Sequence, residues 1–241
     1  MSNGKAVVVL SGGLDSTVCM GIAHTKGRDI YPLSFYYGQR HEVELERAQR
    51  IAEFYGLKER HKIFNLQGVF SNSALTDSDK EVPLGRDEFE MSQDIPITYV
   101  PGRNIVFLSI ALSYAAAIGA EYIYTGVNAL DYSGYPDCRP EFIESFRQVI
   151  ETGTKEGAGG RIQLLTPLIA LTKAGIIKLG IKTGAPLYLT HSCYQGTIPA
   201  CGECDSCKLR IKGFAEAGFV DPIPYQNPVD WFGILNNSGK L

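Results

Sequence analysis

Two short stretches of this sequence carry most of its chemistry. Ser11-Gly12-Gly13-Leu14-Asp15-Ser16-Thr17 gathers paired glycines, three hydroxyls and a carboxylate in one run. Paired glycines let a backbone turn tightly and approach a phosphate with no Cβ in the way. Hydroxyls and the free amides of a following helix would donate to that phosphate at the positive end of the helix dipole. Asp15 is placed to orient a magnesium ion or the loop itself. The lysine of a Walker A loop is missing, which disfavours a GTPase-type reading. A tight strand-to-helix turn capped by Asp15 or Ser16 is the bland alternative, but strand, glycines, acid, hydroxyls and helix arrive in the order a phosphate site requires.

The second stretch is Cys193, Cys201, Cys204 and Cys207, a C-x7-C-x2-C-x2-C array with Gly196, Pro199 and Gly202 supplying turns. Four thiolates this close suit a closed tetrahedral zinc that stabilises the fold and does no chemistry. C-x2-C-x2-C also matches three positions of a bacterial iron–sulfur run, although Cys193 lies on the opposite side from the usual fourth ligand. A redox pair is the remaining alternative. His191, beside the array, is expected at the surface.

A third stretch, Asn128 to Phe142, is polar and aromatic. Asn128, Asp131, Asp137 and Arg139 offer donors, acceptors and a planar cation, and Tyr132 and Tyr135 could wall a purine-like base. An ordinary polar loop would look the same.

These stretches need a scaffold, and the pattern around them supplies one. Ala6 to Leu10 is wholly apolar, as a strand covered on both faces should be. Helical stretches are expected over 16–24, 41–55, 105–118, 141–151 and 172–180, and strands over 30–36, 61–66, 122–126 and 162–165. Alternating strands and helices imply an α/β fold: a parallel sheet with helices on both faces, Rossmann-like, plus a small C-terminal zinc-binding element. The expected organisation is a nucleotide-binding α/β domain over 1–186, the zinc-binding element over 187–220 and an irregular tail over 221–241. Residues 67–97 are polar and weakly periodic, the pattern of a lid or a mobile insertion.

The 241 residues carry 23 Lys and Arg against 26 Asp and Glu, a net charge of −3. That argues against a nucleic-acid or membrane-surface protein. No leader or membrane span is legible, so the cytoplasm is the expected compartment and all six cysteines are expected reduced.

Ser-Gly-Gly-x-Asp-Ser resembles the signature of the PP-loop ATP pyrophosphatases, which implies an adenine nucleotide α-hydrolase-like fold and cleavage of ATP between its α and β phosphates. Five segments in order (11–16, 36–41, 101–104, 137–142 and the four cysteines) resemble the 7-cyano-7-deazaguanine synthases of queuosine biosynthesis over residues 5 to about 220. The resemblance implies that Leu10-Ser11-Gly12-Gly13-Leu14-Asp15-Ser16-Thr17 and Arg103 hold ATP with Mg2+. It gives catalytic roles to Asp15, Ser16 and Lys173, the last neutralising charge on the α-phosphate. Asn128, Asp131, Asp137 and Arg139 would read a deazaguanine acid, ammonia would supply nitrogen, and one structural Zn2+ would sit in each subunit of a homodimer. Lys173 could equally be a solvated surface lysine, and Cys138 inert packing. A tRNA thiolase or lysidine-type synthetase of the same superfamily is the nearest rival, but it would want a basic surface or an RNA-binding domain. A nucleotide sensor with a structural zinc is the rival from another class.

Overall fold

The computed structural model describes residues 3–40, 42–129 and 135–237. Five strands form one parallel sheet in the order β3-β2-β1-β4-β5: β1 (Lys5–Val9), β2 (Asp29–Tyr36), β3 (Lys62–Asn65), β4 (Tyr122–Tyr124) and β5 (Gln163–Leu165). After Lys5, β1 is wholly apolar because both of its faces are covered. Ala6, Val8 and Leu10 point into one core, with α1 (Leu14–Thr25), α2 (Val43–Phe54), α6 (Lys173–Lys182) and α7 (Asp205–Ala217). Val7 points into the other, against α4 (Arg103–Ile118) and α5 (Pro140–Gly153). Period-two alternation on a sheet buried on both sides produces this split.

The chain leaves β1 toward β2 on one side, and β4 pairs on the other, so the strand order reverses beside β1. An α/β sheet opens its ligand crevice there, beyond the carboxyl ends of the strands. The expected α/β architecture is the one observed.

Two expectations are corrected. Residues 67–97 are tied down rather than lid-like. They contain a short helix, α3 (Glu88–Gln93), and bury Ala74, Leu75, Val82 and Met91. The Arg40 guanidinium donates to the carbonyls of Asp77 and Lys80 at 2.6 Å, and Arg86 pairs with Asp205 of α7. The tail read as irregular carries α8 (Trp231–Asn237), capped by Asp230, whose Oδ1 accepts from the Gly233 amide at 2.9 Å. Among the described residues, no helix is long and apolar enough to cross a membrane.

Candidate functional site

β1 ends at Val9 and α1 begins at Leu14, so residues 10–13 make the turn at the crevice. Gly12 has φ +93°, and a Cβ there would stand 2.0 Å from the Glu44 carbonyl oxygen of α2. Side-chain oxygens lace the turn. The Ser16 and Thr17 hydroxyls donate to the Gly13 carbonyl at 3.1 and 2.8 Å, and the Ser11 amide donates to Ser16 Oγ at 3.1 Å. The Gly13 amide donates to Ser11 Oγ at 3.1 Å, and α1 starts without a side-chain cap for the other first-turn amides; Gly13, Leu14 and Asp15 line the cleft. Leu10, Ser11 and Ser16 also line it. Gly12 and Thr17 do not; Thr17 is fully buried and fastens the turn from below.

Lys173 opens α6 after its cap, Thr172, which accepts from the Gly175 amide at 3.2 Å. Its Nζ donates to both carboxylate oxygens of Asp15 at 2.8 Å, and its side chain is 15% exposed. It is a cleft lysine, not a solvated one. The stem reaches the cleft across Gly213 of α7, where a Cβ would stand 2.3 Å from Lys173 Cγ.

The wall across the cleft is aromatic. Phe35 stacks on Phe107 with ring centroids 4.0 Å apart, and Tyr37 and Tyr135 are buried beside them. Arg103, the first residue of α4, lies in this wall and donates from Nη1 to the Tyr37 hydroxyl at 3.2 Å. Gln39 holds the end of β2 in place: its Oε1 accepts from the Tyr37 amide at 2.8 Å. Tyr37 lies in the 36–41 segment of the family resemblance, whereas Phe107 and Glu44, which also line the cleft, belong to no motif of the sequence.

The third stretch splits apart. Asn128 lines the cleft, yet its Nδ2 donates to the carbonyls of Leu168 and Leu171, so it fastens the loop that leads to α6. Asp137 is buried outside the cleft lining, where its Oδ2 caps α4 by accepting from the Asn104 amide at 3.0 Å. Arg139 is exposed at the start of α5 and does not reach the cleft. Residues 136–138 form a single 3-10 turn. Arg139 follows it in extended backbone, as the residue that enters α5. Asp131 lies outside the described residues.

The four cysteine sulfurs lie within 4.8 Å of one another and could hold a metal ion. Amides of Tyr194, Cys201, Glu203 and Cys204 donate to the sulfurs at 3.3–3.4 Å. These donors fix where the sulfurs point. None of the four lines the cleft, which fits a closed site. His191 is buried rather than at the surface, and its amide donates to the Gly12 carbonyl at 3.0 Å, so the cysteine loop is tied directly to the glycine loop.

A family model described as "Queuosine biosynthesis protein QueC" matches residues 5–218. "7-cyano-7-deazaguanine synthase 2" of Desulfitobacterium hafniense (strain Y51) is 54% identical, covering 94% of this chain and 95% of its own. The 7-cyano-7-deazaguanine synthase of Oceanobacillus iheyensis is 54% identical over 93% of this chain and all of its own. That of Acetivibrio thermocellus is 55% identical over 92% and 97%. A match over this much of the chain, which takes in both the glycine loop at the crevice and the four-cysteine centre behind it, places the protein in the queuosine biosynthesis QueC family.

Proposed function

We propose that this protein is an ATP-dependent ligase that converts 7-carboxy-7-deazaguanine and ammonia to 7-cyano-7-deazaguanine. The observation that carries this reading is the cleft itself. A glycine loop and a Lys173–Asp15 pair form one side, and an aromatic wall carrying Arg103 forms the other. Activating an acid with ATP needs both halves: one holds a triphosphate, the other a flat heteroaromatic acid.

The first-turn amides of α1 would hold phosphate oxygens, and Lys173 would stabilise the charge that develops on the α-phosphate. Asp15 would hold Mg2+, which would screen the triphosphate's charge. The substrate carboxylate attacks the α-phosphorus and pyrophosphate leaves; ammonia then displaces AMP to give the primary amide. Only one phosphate loop is legible in the sequence, so the amide oxygen is adenylated at the same site and AMP leaves as the nitrile forms. Two ATP are consumed per nitrile, which removes both carboxylate oxygens.

The cysteine centre would hold a structural Zn2+, one per subunit; thiolates on turn-rich chain suit that ion. The setting that goes with this reading is a homodimer in the cytoplasm. Mass spectrometry after incubation with ATP, Mg2+, ammonium and 7-carboxy-7-deazaguanine tests it. The nitrile is the expected product; unchanged acid with the folded protein would overturn the reading.

A further inference from the structure

Arg103 is set apart from the other cations of the cleft. Lys173 is neutralised by Asp15, and Arg210 by Asp221. Among the described residues, Arg103 makes no ion pair, and the partner of its guanidinium is the neutral Tyr37 hydroxyl. It stands in the wall formed by Phe35, Tyr37, Phe107 and Tyr135, with its Cζ 6.0 Å from the Tyr37 ring centroid. A half-buried cation among aromatic rings, with no carboxylate partner among the described residues, is an electrostatic cost that an anionic ligand offsets.

The geometry points to Arg103 as the clamp for the substrate's carboxylate rather than for a phosphate of ATP, an inference that rests on the functional reading above. A planar ring stacked on the aromatic wall carries its carboxylate nearly in the ring plane. A guanidinium fork is planar too, and matches a carboxylate by two parallel hydrogen bonds. Tyr37 holds that fork through Nη1 and so fixes its direction. The triphosphate already has the loop amides and Lys173 on the facing wall. Arg103 also supplies what the first step needs, since two anions must meet before the carboxylate can attack phosphorus. The primary amide is neutral and turns N–H donors, as well as one acceptor, toward the fork. It should therefore gain far less from Arg103 than the acid does.

Calorimetric titration of 7-carboxy-7-deazaguanine, of its neutral amide and of Mg-ATP, each into the intact protein, tests this. Losing a hydrogen bond to a charged group costs about 10- to 100-fold in affinity, so the wild type should prefer acid over amide by that factor. Arg103→Gln should erase the preference and leave ATP affinity unchanged. Arg103→Lys, which keeps the charge but not the fork, should retain part of the preference. If Arg103→Gln is unstable, the wild type and Arg103→Lys still decide the matter. No preference in the wild type, equal weakening of acid and amide, or loss of ATP affinity instead would overturn this inference alone. A wild type that binds neither deazaguanine would overturn the functional reading and this inference with it.

Discussion

Lys173 Nζ stands 2.8 Å from each carboxylate oxygen of Asp15, a residue 158 positions away in the chain. The loop after β1 and the start of α6 meet at this pair, which holds one cation and one anion in the cleft at mutual neutrality. Mg-ATP would separate them, with the metal taking Asp15 and a phosphate oxygen taking Lys173.

Replacing either partner should therefore damage catalysis more than folding. Removing one transition-state donor typically costs about 10²- to 10³-fold in kcat. Lys173→Met should fall in that range and Asp15→Asn near its lower end, each with a circular dichroism spectrum like the wild type. Pyrophosphate release at saturating ATP is the measurement, and wild-type rates in both variants would remove the pair from the mechanism.

Gly213 offers an unusual sign. In an exposed helix interior Gly→Ala stabilises by about 1 kcal/mol. Here the added methyl would meet the stem of Lys173 at 2.3 Å. Gly213→Ala should lower both the melting temperature and kcat by displacing Lys173, a joint effect that a thermal melt and a steady-state assay would detect. A more stable, fully active variant would refute the contact.

Much of this site was legible in sequence because its signals are local. Ser11 to Thr17 encodes a strand, a turn and a helix within a few residues, and the cysteine spacing encodes a ligand set. What was not legible depends on distant packing. Glu44 looks like a solvated helix face until Gly12 brings the phosphate loop against it. Ser16 and Thr17 looked like phosphate donors, yet their hydroxyls close the turn. Arg139 is close in sequence to Asp137 and Cys138, but extended backbone at the entry to α5 leaves it exposed. His191 reads as a lone surface histidine until its amide is seen to hold Gly12. The 67–97 segment lacks periodicity because its order comes from Arg40, Arg86 and the cysteine loop rather than from a buried helical face.

A pH response follows from His61. Burial pushes its imidazole down from an ordinary value of 6.5 to about 4. The Ser34 hydroxyl donates to the Leu10 carbonyl, so His61 Nε2, 2.7 Å away, serves as donor to Ser34 Oγ. The folded state binds this proton less readily than the unfolded chain does. Its contribution to stability is thus fully present above pH 6.5 and is lost as pH falls toward 4. Urea unfolding from pH 7.5 to 4.5 should show that decline, and His61→Gln should flatten part of it. An unchanged slope in the variant would assign the decline to other groups.

Metal removal should be felt at the phosphate loop. The cysteine cluster packs on Ala74 and Val82, and His191 links its loop to Gly12. Structural zinc contributes on the order of 10 kcal/mol to folding in small zinc domains. Cys204→Ser, or a strong chelator, should lower the melting temperature and increase hydrogen exchange in residues 72–86 and in the Gly12 turn. Elemental analysis should find one zinc per chain; iron with visible absorption would contradict the assignment.

The central claim is that one phosphate loop activates two successive oxygens. Counting AMP against nitrile, with the purified amide supplied in a parallel reaction, tests it most directly. The expected yield is two AMP and two pyrophosphate per nitrile from the acid, and one of each from the amide, with no ammonia required for the second reaction. One ATP per nitrile from the acid, or an amide that the enzyme leaves untouched, would contradict it.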